Sequence, residues 1–177
     1  MRQAAPEPLI MLPDWHLIDQ NGENFGKSEL LGKPFVASYF FTTCPSICPK
    51  LMQSLKDIHV RFAKEQDLVN FISITVDPKT DTPAVLTEYL KKNDMAFKNW
   101  FFLSGAEADI YDVVVNKMKV HMGEKRALNP ETYDIPHLAH LALFDAKGNL
   151  RGLFKTDSME MSALVRAIKF LINNPEK

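Results

Sequence analysis

Residues 35–41, Phe-Val-Ala-Ser-Tyr-Phe-Phe, are apolar apart from Ser38, and they give way at once to Cys44-Pro-Ser-Ile-Cys48-Pro49 and a helical pattern. A strand that is apolar on both faces has to be covered on both, so it belongs in the centre of a layered α/β structure. Pro34 marks its start. After Pro49 the apolar positions are Leu51, Met52, Leu55, Ile58, Phe62 and Ala63, spaced as one face of an amphipathic helix. Pro49 suits a first helical position, where its missing N–H costs nothing. The two cysteines therefore precede the helix or lie in its first irregular turn, and they are the only cysteines of the chain.

The remaining elements are read around that junction. Residues 9–18 are mostly apolar, and Asp19-Gln-Asn21-Gly22 supplies a hairpin turn, so an N-terminal β-hairpin is expected. Residues 70–76 form a β-branched strand, followed by Asp77-Pro78-Lys-Thr-Asp81-Thr82-Pro83, where Thr82 as cap and Pro83 at the first position open a helix to about Lys92. Residues 100–103 make a short strand. Ser104-Gly-Ala-Glu107 has capping-box spacing before a helix with Ile110, Val113, Val114 and Met118. Residues 121–136 show no period and read as a long functional surface loop. Residues 138–144 and 150–154 read as strands joined by Asp145-Ala-Lys-Gly148. Asp157-Ser-Met-Glu160 then caps a last helix that buries Leu164, Val165, Ile168, Leu171 and Ile172. Strand, helix, strand, helix, an antiparallel hairpin and a final helix is the order of a thioredoxin-like α/β fold, a central mixed sheet flanked by helices, with an N-terminal hairpin and an inserted segment. Residues 1–8 read as a linker and residues 9–174 as one domain.

A net charge of -1 and a pI near 6.5, with no run of like charges, exclude an electrostatic case for nucleic acid or a basic membrane patch. No stretch approaches 18 apolar residues, and residues 1–8 lack the apolar centre of a signal peptide.

At a strand-to-helix junction the free N–H groups and partial positive charge of the helix stabilise a thiolate, so a lowered cysteine pKa is expected. Three intervening residues allow a disulfide and equally let two thiolates converge on one metal ion, while inert core cysteines remain the plain alternative. Further metal ligands would come from His16, His59, His121, His137 and His140, with Met118 and Met122 for a soft metal. His59 falls among the apolar positions of the first helix and reads as a core histidine. His137 and His140, three apart in a strand-like stretch, should point to opposite faces and not share an ion. His137, where the strand begins, can reach the sheet end that carries the cysteines; His140 reads as structural. Two thiolates and one imidazole form a soft, low-coordinate set that suits Cu(I), whereas structural zinc normally takes a fourth protein ligand. Asp77 should lie on the same sheet edge, either orienting a ligand or serving as a turn carboxylate before Pro78. Asp81 reads as a capping or loop residue. Met118, Met122, Met159 and Met161 read as core or surface methionines rather than a soft-metal patch.

With these residues in view, the chain resembles the Sco (SCO1/SenC) family of copper-binding cytochrome c oxidase assembly proteins. The resemblance runs from about Trp15 to Leu171. It is carried by Tyr39-Phe-Phe-Thr-Thr-Cys44-Pro-Ser-Ile-Cys48-Pro49, by Thr75-Val-Asp77-Pro78-Lys-Thr-Asp81-Thr82, by Leu103-Ser-Gly105, and by His137 eleven residues before Gly148. It implies that Cys44, Cys48 and His137 ligate one copper as Cu(I) or Cu(II), and that the loop before the histidine is mobile. It implies delivery of copper to, or reduction of the cysteines of, the dinuclear copper site of oxidase subunit II or another cuproprotein, with copper donor chaperones and thioredoxin-like reductants as further partners. It also implies a place on the extracytoplasmic side of a membrane, tethered by an N-terminal anchor outside this chain. Two positions depart from the family: Pro136 stands before the histidine where many members have Asp, and Asp-Ala-Lys precedes Gly148 where Gly-Pro-Asp is common. The competing function is a thiol–disulfide oxidoreductase or thiol peroxidase of the thioredoxin superfamily without a metal role. Against the peroxidase, the Thr-x-x-Cys pattern is missing, since Pro45 and Phe41 occupy the Thr positions.

Overall fold

The computed structural model describes residues 9–45, 47–137 and 139–175, so the linker expected at residues 1–8 lies outside the described residues. Three short strands, β1 (Ile10–Met11), β2 (His16–Ile18) and β3 (Asn24–Gly26), precede β4 (Phe35–Phe40), which leads into α1 (Cys48–Arg61). Next come β5 (Asn70–Thr75), α2 (Pro83–Lys92), β6 (Trp100–Leu103) and α3 (Glu107–Tyr111), extended by a π-helical turn at Asp112–Lys117. Two small strands, β7 (Arg126–Ala127) and β8 (Tyr133–Asp134), come before the hairpin β9 (Leu141–Phe144) and β10 (Asn149–Phe154) and the closing α4 (Ser158–Asn173).

Six strands make one sheet in the order β1-β10-β9-β4-β5-β6. β4 and β6 pair in parallel with β5, while β9 pairs antiparallel with β4 and with β10. The architecture is the expected thioredoxin-like α/β fold. All residues of β4 and β5 are buried, as a two-sided apolar run requires. Ser38 is admitted because its hydroxyl meets that of Ser73 at 2.7 Å, and Ser73 also accepts from Trp100 Nε1 at 2.9 Å. Stacked rings of Phe35 and Phe144, 4.7 Å apart, stand at the register where β9 pairs with β4. Thr82 caps α2 by accepting from Val85 N, and Asp157 caps α4 by accepting from Met159 N and Glu160 N. Among the described residues no helix is long and apolar enough to cross a membrane.

Tertiary pairing changes four local expectations. The N-terminal hairpin forms between β2 and β3 across the Asp19 to Gly22 turn, but residues 10–11 leave it to pair with β10 at the sheet edge. Ser104 does not cap α3: Ala106 holds that position, because Ser104 is drawn into a bridge with Ile18 and its hydroxyl donates to the Asp81 carbonyl at 2.7 Å. Ala63 is exposed beyond the end of α1, since the helix stops at Arg61. Residues 121–136 are not a bare loop, for β7 and β8 form a small hairpin in register Arg126 with Asp134.

Candidate metal centre

The cysteine turn leaves the end of β4 and folds tightly, with Cys44 N donating to the Phe41 carbonyl at 3.2 Å. α1 begins at Cys48, and Pro49 falls in its first turn, where no N–H is needed. Both cysteines are reduced and buried, Cys48 at 2% exposure. The expected lowering of the thiol pKa fails for Cys48. Its hydrogen bond with Cys44 and then burial push its pKa up, and these outweigh the opposing pull of the Phe41 backbone. A pair of thiols sharing one buried space resists a second charge more strongly than a helix end favours it.

His137 comes to this pair from the other side of the chain. Its Nε2 lies 3.9 Å from Cys48 Sγ, and its Nδ1–H donates to the Ile135 carbonyl at 2.6 Å. That bond fixes the tautomer, so the free lone pair of Nε2 faces the thiol. A separation of 3.9 Å is shorter than one metal–thiolate plus one metal–imidazole bond, about 4.3 Å on zinc values, so both atoms can touch one ion in a bent arrangement. Among the described residues no three His, Cys, Asp or Glu side chains are gathered as a metal cage. The donor chemistry, soft and low-coordinate, fits copper.

The histidine is not within a strand. β9 begins at Leu141, so the alternation argument separating His137 from His140 does not apply. His137 instead bridges Met122, and Gly123 N donates to the Pro136 carbonyl at 2.6 Å. A Cβ at position 123 would stand 3.2 Å from the Pro136 ring, so glycine is what lets these segments approach. Pro136 thus lends its carbonyl to the pairing and gives up no N–H that the site uses.

Asp77 is buried just past the end of β5, where its carboxylate accepts from Tyr133 OH at 2.5 Å and Lys125 Nζ at 3.2 Å. Burial alone would raise its pKa, yet the bonds from Tyr133, Thr80 and Lys125 win and hold it below the usual value. Its backbone carbonyl also accepts from Thr80 N and Asp81 N, so it is a turn residue as well. Asp81 lies in the loop before α2, as expected, but it is not the cap, which is Thr82. It is fully buried and accepts from Thr42 N at 3.0 Å, from the Thr42 hydroxyl and from Thr75 OH at 2.6 Å, tying the cysteine turn to β5.

The other candidates fall away from the site. His59 is a core residue, stacked on Phe97 at 4.0 Å with Nε2–H donating to Asn99 Oδ1 at 2.7 Å. His16 is paired in β2, His121 is exposed, and His140 is half-buried with Nδ1 lacking a partner among the described residues. Met118 is buried and accepts from Tyr39 OH at 3.3 Å, Met122 and Met161 are half-buried, and Met159 is exposed. Sequence reasoning missed Tyr133, Thr42, Thr43 and Lys125 altogether. The spacing of Tyr133, four residues before His137, was the only signal for any of them.

The SCO1/SenC family model matches residues 3–173. The SCO2-like protein of Rickettsia felis is 36% identical over 146 residues, which cover 82% of this chain and 69% of that protein. The solved structure of a SCO1/SenC family lipoprotein from Bacillus anthracis aligns with a TM-score of 0.83 at 26% identity, over 95% of this chain and 99% of that one. Bradyrhizobium japonicum ScoI with copper bound aligns with a TM-score of 0.79 at 28% identity, over 92% of this chain and 99% of that one.

Proposed function

This chain belongs to the SCO1/SenC family, and we propose that it is a copper metallochaperone of cytochrome c oxidase assembly that holds one copper, Cu(I) or Cu(II), on Cys44, Cys48 and His137. The observation that carries this reading is His137 Nε2 standing 3.9 Å from Cys48 Sγ while Nδ1 is engaged by the Ile135 carbonyl. Support comes from the 28% identical Bradyrhizobium japonicum ScoI, whose structure has copper bound. Copper is cargo here. A set of few donors drawn from two parts of the chain suits an ion that must be given away. The recipient is oxidase subunit II or another cuproprotein, reached on the extracytoplasmic side by a protein tethered through an N-terminal anchor, with copper donor chaperones loading it.

The same pair carries a thiol–disulfide role. Thiol–disulfide exchange with a disulfide of the recipient protein, which takes up the two electrons and two protons, closes Cys44 and Cys48 as a disulfide and removes both thiolates from the metal. Redox state thereby gates copper, and thioredoxin-like reductants reopen the site. A thiol peroxidase is the weaker alternative, since the Thr-x-x-Cys pattern is missing and the hydrogen bond with Cys44, with burial, raises the Cys48 pKa. A Cu(I) competition titration of reduced wild type and of Cys44→Ala, Cys48→Ala and His137→Ala tests the assignment. One copper binds per wild-type chain. Each cysteine variant loses more than the 10–100-fold typical of an outer-shell change, and His137→Ala is clearly weakened. An unchanged affinity in His137→Ala sinks the three-donor set.

A further inference from the structure

Tyr133 opens β8, four residues before His137. The arm it belongs to is thin, with two-residue strands and an exposed tip, and its nearest core anchor is Ile135 at 4% exposure. Yet Tyr133 gathers contacts from three parts of the molecule. Its hydroxyl has one proton, and the Asp77 carboxylate, an acceptor only, takes it at 2.5 Å. The Thr43 hydroxyl, 2.6 Å away, must therefore be the donor to the phenol oxygen. Thr43 immediately precedes Cys44, so a single phenol oxygen joins the cysteine turn to the end of β5. Its ring stacks on Phe41 at 5.6 Å and 16°, and Phe41 meets the His137 ring edge-on at 6.1 Å. The Lys125 ammonium lies 3.6 Å from the centroid of the Tyr133 ring and also bonds Asp77 at 3.2 Å.

We infer that Tyr133 is a positioning residue for His137: its hydroxyl, clamped between Asp77 and Thr43, and its ring, stacked on Phe41, hold the arm so that the imidazole stands over Cys48. The inference rests on the copper reading. Short charge-assisted bonds are the strong ones, and the one to Asp77 fastens the arm to the segment after β5, while the neutral Thr43 hydroxyl ties the same phenol oxygen to the cysteine turn. The backbone pairing of Met122 with His137 fixes the other side of the same segment. The ring route runs from Tyr133 through Phe41 to His137, so the influence of Tyr133 on copper is assigned to the histidine.

Tyr133→Phe keeps the stacked ring and removes only the hydroxyl, so it tests the clamp with the fold preserved. Cu(I) affinity of the reduced, full chain is measured for wild type, Tyr133→Phe, His137→Ala and the double variant, with far-UV circular dichroism confirming the fold of each. Tyr133→Phe is expected to weaken copper binding by about 10-fold, the lower end for an outer partner of a metal ligand. In the His137→Ala background the same change should have no further effect, because the ligand it positions is gone. The nitrogen hyperfine signature of the Cu(II) form should weaken in Tyr133→Phe as well. Wild-type affinity in Tyr133→Phe, or an equal additional loss in the double variant, overturns the inference while leaving the copper reading intact. Unchanged affinity in His137→Ala overturns the three-donor reading and this inference with it.

Discussion

Cys44 and Cys48 stand where β4 meets α1, a junction in which every residue of the strand is buried and Met52 and Leu55 of the helix are fully enclosed. His137 stands at the end of an arm with two-residue strands and a tip, Leu128, that is 54% exposed. One half of the site is therefore set by the core, the other by a handful of polar contacts and one ring stack. Elements with little apolar burial open locally at small free-energy cost, whereas core strands open only with the whole fold. On the proposed copper reading, a site divided in this way takes in or releases His137 without disturbing the sheet, which is what a carrier of a transferable ion requires.

The contrast can be broken most sharply from the core side. Phe40→Ala removes a fully buried ring that packs edge-on against Phe102 at 5.4 Å, and it should cost about 3–5 kcal/mol of stability in denaturant unfolding. A cost below about 1 kcal/mol would mean that the cysteine side is not held by the core. pH should separate the two regions next. The folded pKa of His59 is lowered by burial, so the unfolded chain takes up a proton near 6.5 that the fold resists. Its contribution to stability is complete above about 6.5 and declines as pH falls below it, with a slope of at most about 1.4 kcal/mol per pH unit. The Asp77 contact is lost in a lower window. Its folded pKa is depressed below 3.8, so the stabilisation is present above that value and disappears as pH falls through the depressed one. Unfolding midpoints of the metal-free protein from pH 8 to 5 should thus fall, while the Asp77 tie to the arm persists; arm loss already at pH 6, seen by tyrosine fluorescence of Tyr133 against Tyr133→Phe, would erase the separation. The smallest effect is expected at the tip, where Leu128→Ala should change stability by no more than about 0.5 kcal/mol. A larger loss would show the arm to be part of the core after all.

Much of this was legible in the chain. The apolar run at residues 35–41 reads as a central strand because no edge strand needs two apolar faces, and Thr82-Pro83 and Asp157 mark helix starts because capping is a local bond. The cysteine pair is legible for the same reason, since a turn between a strand and a helix is short in sequence. Ser104 misled because its hydroxyl had a tertiary partner, the Asp81 carbonyl, that outcompeted the local cap. Asp81 misled in the opposite sense: a carboxylate in a Pro-rich turn looks solvated, yet Thr42 and Thr75 enclose it. Tyr133 gave no sign beyond its spacing from His137, because aromatic residues are common and its partners Asp77, Thr43 and Phe41 are 56, 90 and 92 residues away in sequence.

By itself, then, the sequence determined the strand-turn-helix unit, the spacing of its two thiols and the residue types able to complete a soft-metal set, all of them matters of neighbours along the chain. Tertiary structure alone decided that His137 faces Cys48 across 89 residues, with Tyr133 fastened beneath Asp77. That meeting depends on β9 pairing antiparallel with β4 while β5 pairs with it in parallel on the other side. Sheet order follows from how the whole apolar surface is buried, and no local pattern contains it.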